Sequence, residues 1–236
     1  MIPLKDDNPT YTVPFMTVGI IVINILVFLY ELSLGGLLLN GQEAQRFIWA
    51  MGVIPYELTR FGDAMSPTPI PFYLTPFTAM FIHGGLLHVG GNMLYLWIFG
   101  NNIEDALGHL HFLFFYILCG LIATLTHVIS SPSSPIPMVG ASGAIAGVLG
   151  AYFMQFPAAR VHVLIPFFFI FRIMHIPAMV VLGFWFLMQI LNASATSGGA
   201  HSGVAWFAHI GGFIVGYILM RRYQKRRWRR FKIYRK

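Results

Sequence analysis

Six apolar runs divide this chain: Phe15–Leu34, Phe77–Gly100, Leu110–Ile129, Ser142–Phe156, Ala178–Leu191 and Val204–Met220. A hydrocarbon core about 30 Å thick takes about 20 helical residues to cross. No water pairs the backbone there, so such runs fold as helices that satisfy their own N–H and C=O groups. Only 10% of the 236 residues are charged, against 57% hydrophobic and a mean hydropathy of +0.70. A soluble domain averages about 25% charged residues. The chain therefore reads as an all-α membrane protein, a six-helix bundle over 15–220 with a polar tail, 1–14, and a basic tail, 221–236.

The first run is longer than a signal-peptide core and lacks a small-residue cleavage site of the usual form, so it reads as a retained span. The connection from Gly35 to Tyr73 carries Trp49, Met51, Ile54 and Phe61 among scattered charges, with Pro67, Pro69 and Pro71, and is expected to lie half in the interface. Glu104 and Asp105 fall in the connection Asn101–His109. Val161–Ile176, broken by Arg172 and His175, reads as an interfacial approach to the fifth span. Asn192–Ser202 is a loop of small residues. Cys119 lies alone in an apolar run, which excludes an internal disulfide and a zinc-type cysteine grouping.

Charge sets the orientation. Ten of the fifteen Lys and Arg residues fall within Arg221–Lys236, and basic flanks stay cytoplasmic. Tyr223, Trp228, Phe231 and Tyr234 interleave them, a pattern weighed against nucleic-acid binding; contact with anionic lipid headgroups is the reading adopted. The first connection has Glu31, Glu43, Glu57 and Asp63 against Arg46 and Arg60, which suits the outer side. The second, fourth and sixth spans then enter from outside and bring His88, Ser142 and His209 to one depth.

Ionisable residues at membrane depth are costly, so each is a functional candidate. Gly140-Ala141-Ser142-Gly143 opens the fourth run, its glycines flanking the serine so that a substrate can approach closely. A hydroxyl is a poor nucleophile until a base takes its proton, and a neutral imidazole is the usual base. His209 is the candidate. Gly143-x-x-x-Gly147 and Gly212-x-x-x-Gly216 form the small-residue pattern that lets two membrane helices touch, and that contact would bring Ser142 to His209. Candidate donors to an oxyanion are backbone amides at the helix entrance, around Ala141, with His88 and Asn92, which share a helical face at i and i+4. The alternative for His88 and Asn92 is interhelical hydrogen bonding. No acid lies at this depth to orient His209, so a Ser–His dyad is expected. Spacing i and i+5 without a carboxylate argues against a metal on His83 and His88. Gln189 reads as a packing contact.

These residues resemble the rhomboid family of intramembrane serine proteases. The resemblance runs from Thr75 to Gly216 and rests on Phe81-Ile82-His83-Gly84-Gly85-Leu86-Leu87-His88 leading to Asn92, on Glu104, on Gly140-Ala141-Ser142-Gly143-Ala144-Ile145, and on Ala205-Trp206-Phe207-Ala208-His209-Ile210-Gly211-Gly212-Phe213. It implies a six-helix bundle with an outward-facing wet cavity, Ser142 as nucleophile, His209 as base, and His88 and Asn92 assisting the oxyanion; the six-span layout by itself suits a prokaryotic plasma membrane. It further implies no cofactor, membrane-protein substrates entering beside the helix of Trp185 and Gln189, a cap formed by the loop before the sixth span, and a half-submerged first loop. Some members carry an aromatic residue one turn after the nucleophile, where this chain has Ala146. A catalytically inactive binder of membrane clients and a small transporter are the rival readings.

Overall fold

The computed structural model describes residues 1–35, 41–62, 70–167, 170–196 and 204–234. The chain is mostly helical. Six long helices are α1 (Phe15–Gly35), α5 (Leu86–Leu107), α6 (His109–Ser130), α7 (Ser142–Gln155), α8 (Ala178–Thr196) and α9 (Trp206–Tyr234). Shorter ones, α2 (Gln42–Met51), α3 (Pro55–Arg60) and α4 (Thr75–Thr78), lie between α1 and α5. Phe15–Gly35, His109–Ser130 and Ala178–Ala195 are each long and apolar enough to cross a membrane. Their outward faces are those of a protein solvated by lipid: Leu110, Phe114, Leu125 and Ile129 on α6, and Phe184, Leu187 and Leu191 on α8, are all exposed.

The helix that starts at Ser142 sits in the middle. Every residue of α7 from Gly143 to Tyr152 is buried, the pattern of a helix apolar all round. Its small residues let its neighbours come to backbone contact. A methyl group on Gly212 or Gly216 of α9 would run into the carbonyl oxygens of Gly143 or Gly147, and one on Gly143 would stand 2.7 Å from the Ala123 side chain of α6. Fourteen residues make about 21 Å of helix, the shortest of the six.

Five local expectations are corrected. The second apolar run is not one helix from Phe77. After α4 and a 3₁₀ turn at Ala79–Phe81, the chain extends and α5 begins at Leu86, because Gly85 adopts φ +153°, open chiefly to glycine. His83 is therefore not on the helix of His88. Asn101–His109 is no loop: α5 runs to Leu107, Gly108 turns at φ +82°, and α6 follows at once.

Glu31 belongs not to the first connection but to the inside of α1, where it is fully buried. The run Val161–Ile176 forms an antiparallel hairpin, β2 (Arg160–Phe167) and β3 (Ile170–Pro177), to which β1 (Ile2–Asp6) from the polar tail adds a third strand in the order β1-β2-β3. Here β-branched residues alternate, with Val161 and Val163 buried, and period 2 prevails over mere apolarity. Finally, α9 runs unbroken through the basic segment to Tyr234. The 67–69 prolines, the 197–203 part of the small-residue loop with His201, residues 235–236, and the side chains of the tail from 226 onward lie outside the described residues.

Acids fasten the N-terminal segment, and Glu104 among them is fully buried. Glu104 accepts the backbone N–H groups of Met16 (2.9 Å) and Thr17 (2.7 Å) and meets His109 Nδ1 at 2.5 Å. It thereby satisfies first-turn amides of α1 that have no partner within the helix. Asp105 accepts from the Thr12 hydroxyl at 2.6 Å. At the far end of α7 the Tyr152 hydroxyl donates to Asp6 of β1, whose carboxyl burial holds above the ordinary carboxylate range. Gln224 of α9 donates to Gln155 there, so the basic segment starts beside the sheet, at the end of α7 opposite Ser142.

The contact between α7 and α9 yields a test. Gly216→Leu forces the helices apart and should destabilise the fold by about 1–3 kcal/mol, more if the backbones must shift. Denaturation in mixed micelles, followed by circular dichroism, measures it, with the exposed-face variant Leu187→Ala as the near-neutral control.

Candidate active site

The turn that delivers Ser142 is held by two neighbouring segments. Val53, between α2 and α3, exchanges both backbone hydrogen bonds with Met138 (2.9 and 2.7 Å), and Gly140 donates its N–H to the Ala79 carbonyl at 2.8 Å. The strand-like approach is thereby fixed on both sides. Gly140 has φ +121°, and a Cβ there would lie 2.7 Å from His88 Nε2, so both the backbone and the space require glycine. Ala141 is buried and turns the chain into α7. Gly143 is required by the packing of α7 on α6 and α9 described above. The amides of Ser142 and Gly143, in the first turn of α7, have no intrahelical acceptor.

His209 lies in the first turn of α9, opposite this turn, and its Nε2 is 2.8 Å from Ser142 Oγ. Two side chains sixty-seven positions apart thus share a hydrogen bond. The other ring nitrogen, Nδ1, is 2.8 Å from Gln189 Oε1. Trp185 and Trp206 flank the ring, with centroids at 5.8 and 6.1 Å. Gln189 is thus more than the packing contact read from sequence. One amide in an apolar helix signals only that some partner exists, and the partner is chosen by how α8 rotates against α9.

His88 and Asn92 stand beside Gly140 on the first turns of α5. The His88 Nδ1 accepts the Gly84 N–H at 3.3 Å, which leaves the ring proton of a neutral imidazole on Nε2, the nitrogen beside Gly140. Asn92 Nδ2 lies 2.9 Å from His83 Nε2. His83 is fully buried, and its backbone N–H reaches the Glu31 carboxylate at 3.1 Å. Glu31, read from sequence as an outer-loop acid, instead anchors the extended segment just before α5. The His83 and His88 rings meet edge to face at 5.0 Å. No cluster of three His, Cys, Asp or Glu side chains suited to a metal occurs among the described residues.

These groups line a cavity of about 540 Å³ that includes His88, Asn92, Gly140, Ser142, Trp185 and His209. Its other walls are mainly apolar side chains of the 79–80 turn, α5, α6, the approach to α7, α7 itself and the start of α9, with Tyr95 and Thr124 among them. The arrangement offers a hydroxyl paired with an imidazole, with neutral donors nearby, in a space large enough for a peptide segment.

Residues 73–226 match the family model described as the Rhomboid domain. Among curated proteins, the chain is 29% identical over 147 residues to the Rhomboid protease GluP of Bacillus subtilis, covering 62% of this chain and 25% of that protein. It is 26% identical over 166 residues to the human mitochondrial presenilin-associated rhomboid-like protein, covering 68% and 36%. It is 34% identical over 85 residues to the mitochondrial Rhomboid protein 1 of Saccharomyces cerevisiae, covering 34% and 25%. The chain spans about a quarter to a third of the length of these relatives. The matched residues hold α5 to α8, α9 as far as residue 226, and every group that lines the cavity, and the chain belongs to the rhomboid family.

Proposed function

We propose that this protein is an intramembrane serine endopeptidase, cleaving other membrane proteins in or beside their transmembrane segments. The observation that carries this reading is the 2.8 Å contact between Ser142 Oγ and His209 Nε2 at the edge of the cavity. Ser142 is the nucleophile. As its oxygen bonds to the scissile carbonyl carbon, its proton passes to His209 Nε2. The resulting oxyanion takes hydrogen bonds from His88 Nε2–H, from the Asn92 amide, and from backbone amides at the Ala141–Ser142 turn. The C–N bond then breaks, with His209 returning the proton to the departing amine. Water, deprotonated by the same imidazole, cleaves the acyl-serine and regenerates Ser142.

Substrate backbone must be unwound to react, since a closed helix hides its amides and carbonyls. The preferred substrates are single-span proteins with helix-breaking or small residues near the outer face. Leu87 of α5 and Trp185 of α8 both line the cavity, and substrate enters from lipid between those helices. The six long helices are six spans of a plasma-membrane protein. Lys5, Arg160, Arg172, Arg221, Arg222 and Lys225 gather at the sheet end of the bundle, opposite Ser142. This supports cytoplasmic termini and an outward-facing site.

Reconstitution with a single-span substrate tests the reading. Ser142→Ala and His209→Ala should abolish cleavage, and a fluorophosphonate probe should label Ser142 in the wild type alone. Cleavage that persists in Ser142→Ala, or that appears only with added metal, refutes the mechanism. His88→Ala, which removes a donor needed chiefly in the transition state, should lower kcat about 100-fold while leaving KM within a few-fold; steady-state kinetics at saturating substrate decides.

A further inference from the structure

We propose that Gln189 is the positioning residue of His209, its amide oxygen holding the Nδ1 proton so that the Nε2 lone pair faces Ser142. The proposal rests on the proteolytic reading for its consequence, but not for its geometry. An amide can present either its oxygen or its nitrogen, so the direction of the hydrogen bond must be fixed by something else. Here the helix fixes it. Gln189 Nε2 donates to the Trp185 carbonyl, one turn earlier, at 2.9 Å. Turning the amide over would set its oxygen against that carbonyl oxygen, two acceptors in contact. Gln189 is 5% exposed, so no water shell compensates.

With the amide so held, Oε1 can only accept, and the nitrogen facing it at 2.8 Å must donate. A neutral imidazole has a single N–H. Its proton is therefore on Nδ1, and Nε2 is the acceptor for the Ser142 hydroxyl at 2.8 Å. Trp185, one turn before Gln189 on α8, packs beside the ring, tilted 36° at 5.8 Å, and Trp206 meets it edge to face at 84°.

The groups around the imidazole are Ser142 from α7, Gln189 and Trp185 from α8 and Trp206 from α9, with His88 of α5 and His127 of α6 as its titratable neighbours. No carboxylate hydrogen-bonds it among the described residues. An amide orients the ring without the desolvation cost of burying an anion in an apolar bundle.

The test combines ¹⁵N-histidine spectra with probe kinetics, both on the full chain in lipid. In the wild type the His209 signals, assigned by their loss in His209→Gln, should show Nδ1 protonated and Nε2 bare. In Gln189→Leu the tautomers should mix, and Ser142 labelling by the fluorophosphonate should slow about tenfold, the value of one oriented hydrogen bond. Gln189→Glu, whose protonated carboxyl can donate to the Trp185 carbonyl and accept from Nδ1, should recover most of the rate. A wild-type spectrum with the proton on Nε2 overturns the proposal, as does a Gln189→Leu protein with unchanged spectrum and labelling rate. Should Gln189→Leu fail to fold, the wild-type spectrum still decides. A folded wild type with the proton on Nδ1 that never takes the probe would support this role for Gln189 and instead defeat the proteolytic reading.

Discussion

Backbone contact between α7 and α9 is the constraint on which the rest of this structure depends. In lipid there is little hydrophobic gain in pressing one helix on another, so association relies on close packing and on hydrogen bonds. Gly143, Gly147, Gly212 and Gly216 remove the side chains that would hold the two axes apart. Van der Waals attraction is individually weak and falls off within about an ångström, so this approach must be close along several turns. The same closeness places the first turns of both helices side by side, and with them Ser142 and His209.

Around that contact the polar groups of the interior are paired rather than excluded. Glu104 satisfies the amides that open α1, Glu31 takes the His83 N–H, and Gln189 joins α8 to the imidazole on α9. An unpaired buried donor costs about 1–3 kcal/mol, so each of these side chains fixes the geometry of a neighbouring element. Glu31 holds the extended segment from which α5 starts, and hence the depth of His88 and Asn92. The sheet at the far end works alike. Strand β1 bonds to the hairpin joining α7 and α8, while Asp6 reaches Tyr152 near the end of α7. The N-terminal residues, read as a tail, thereby brace the base of the helix pair that carries Ser142 and Gln189.

Much of this was legible in the residues themselves. The long apolar runs, the Gly-x-Ser-Gly turn, the histidine on the last run and the two glycine patterns point to a membrane bundle and to the pairing of Ser142 with His209, and the structure brings those side chains to hydrogen-bonding distance. The hairpin at 160–177 was not legible, because near a membrane an apolar run invites a reading by hydropathy, and the alternation of Val161 and Val163 carries less weight than the run. The break before Leu86 hid in the same way, since Gly84 and Gly85 do not interrupt apolarity even though α5 starts only after them. Glu31 was assigned by its charge to an aqueous connection, although its partner is a backbone amide 52 positions away.

Composition and periodicity by themselves determined the solvent of this protein, its helical character and the residue types available for chemistry, because hydropathy and backbone preference are local properties. Only the tertiary structure decided which nitrogen of His209 meets Ser142, that Gln189 faces the other, and that the buried Glu31 and Glu104 serve backbone amides rather than water. Those outcomes depend on the rotation and depth of one helix against another, and that relation is set by packing among residues far apart in the chain.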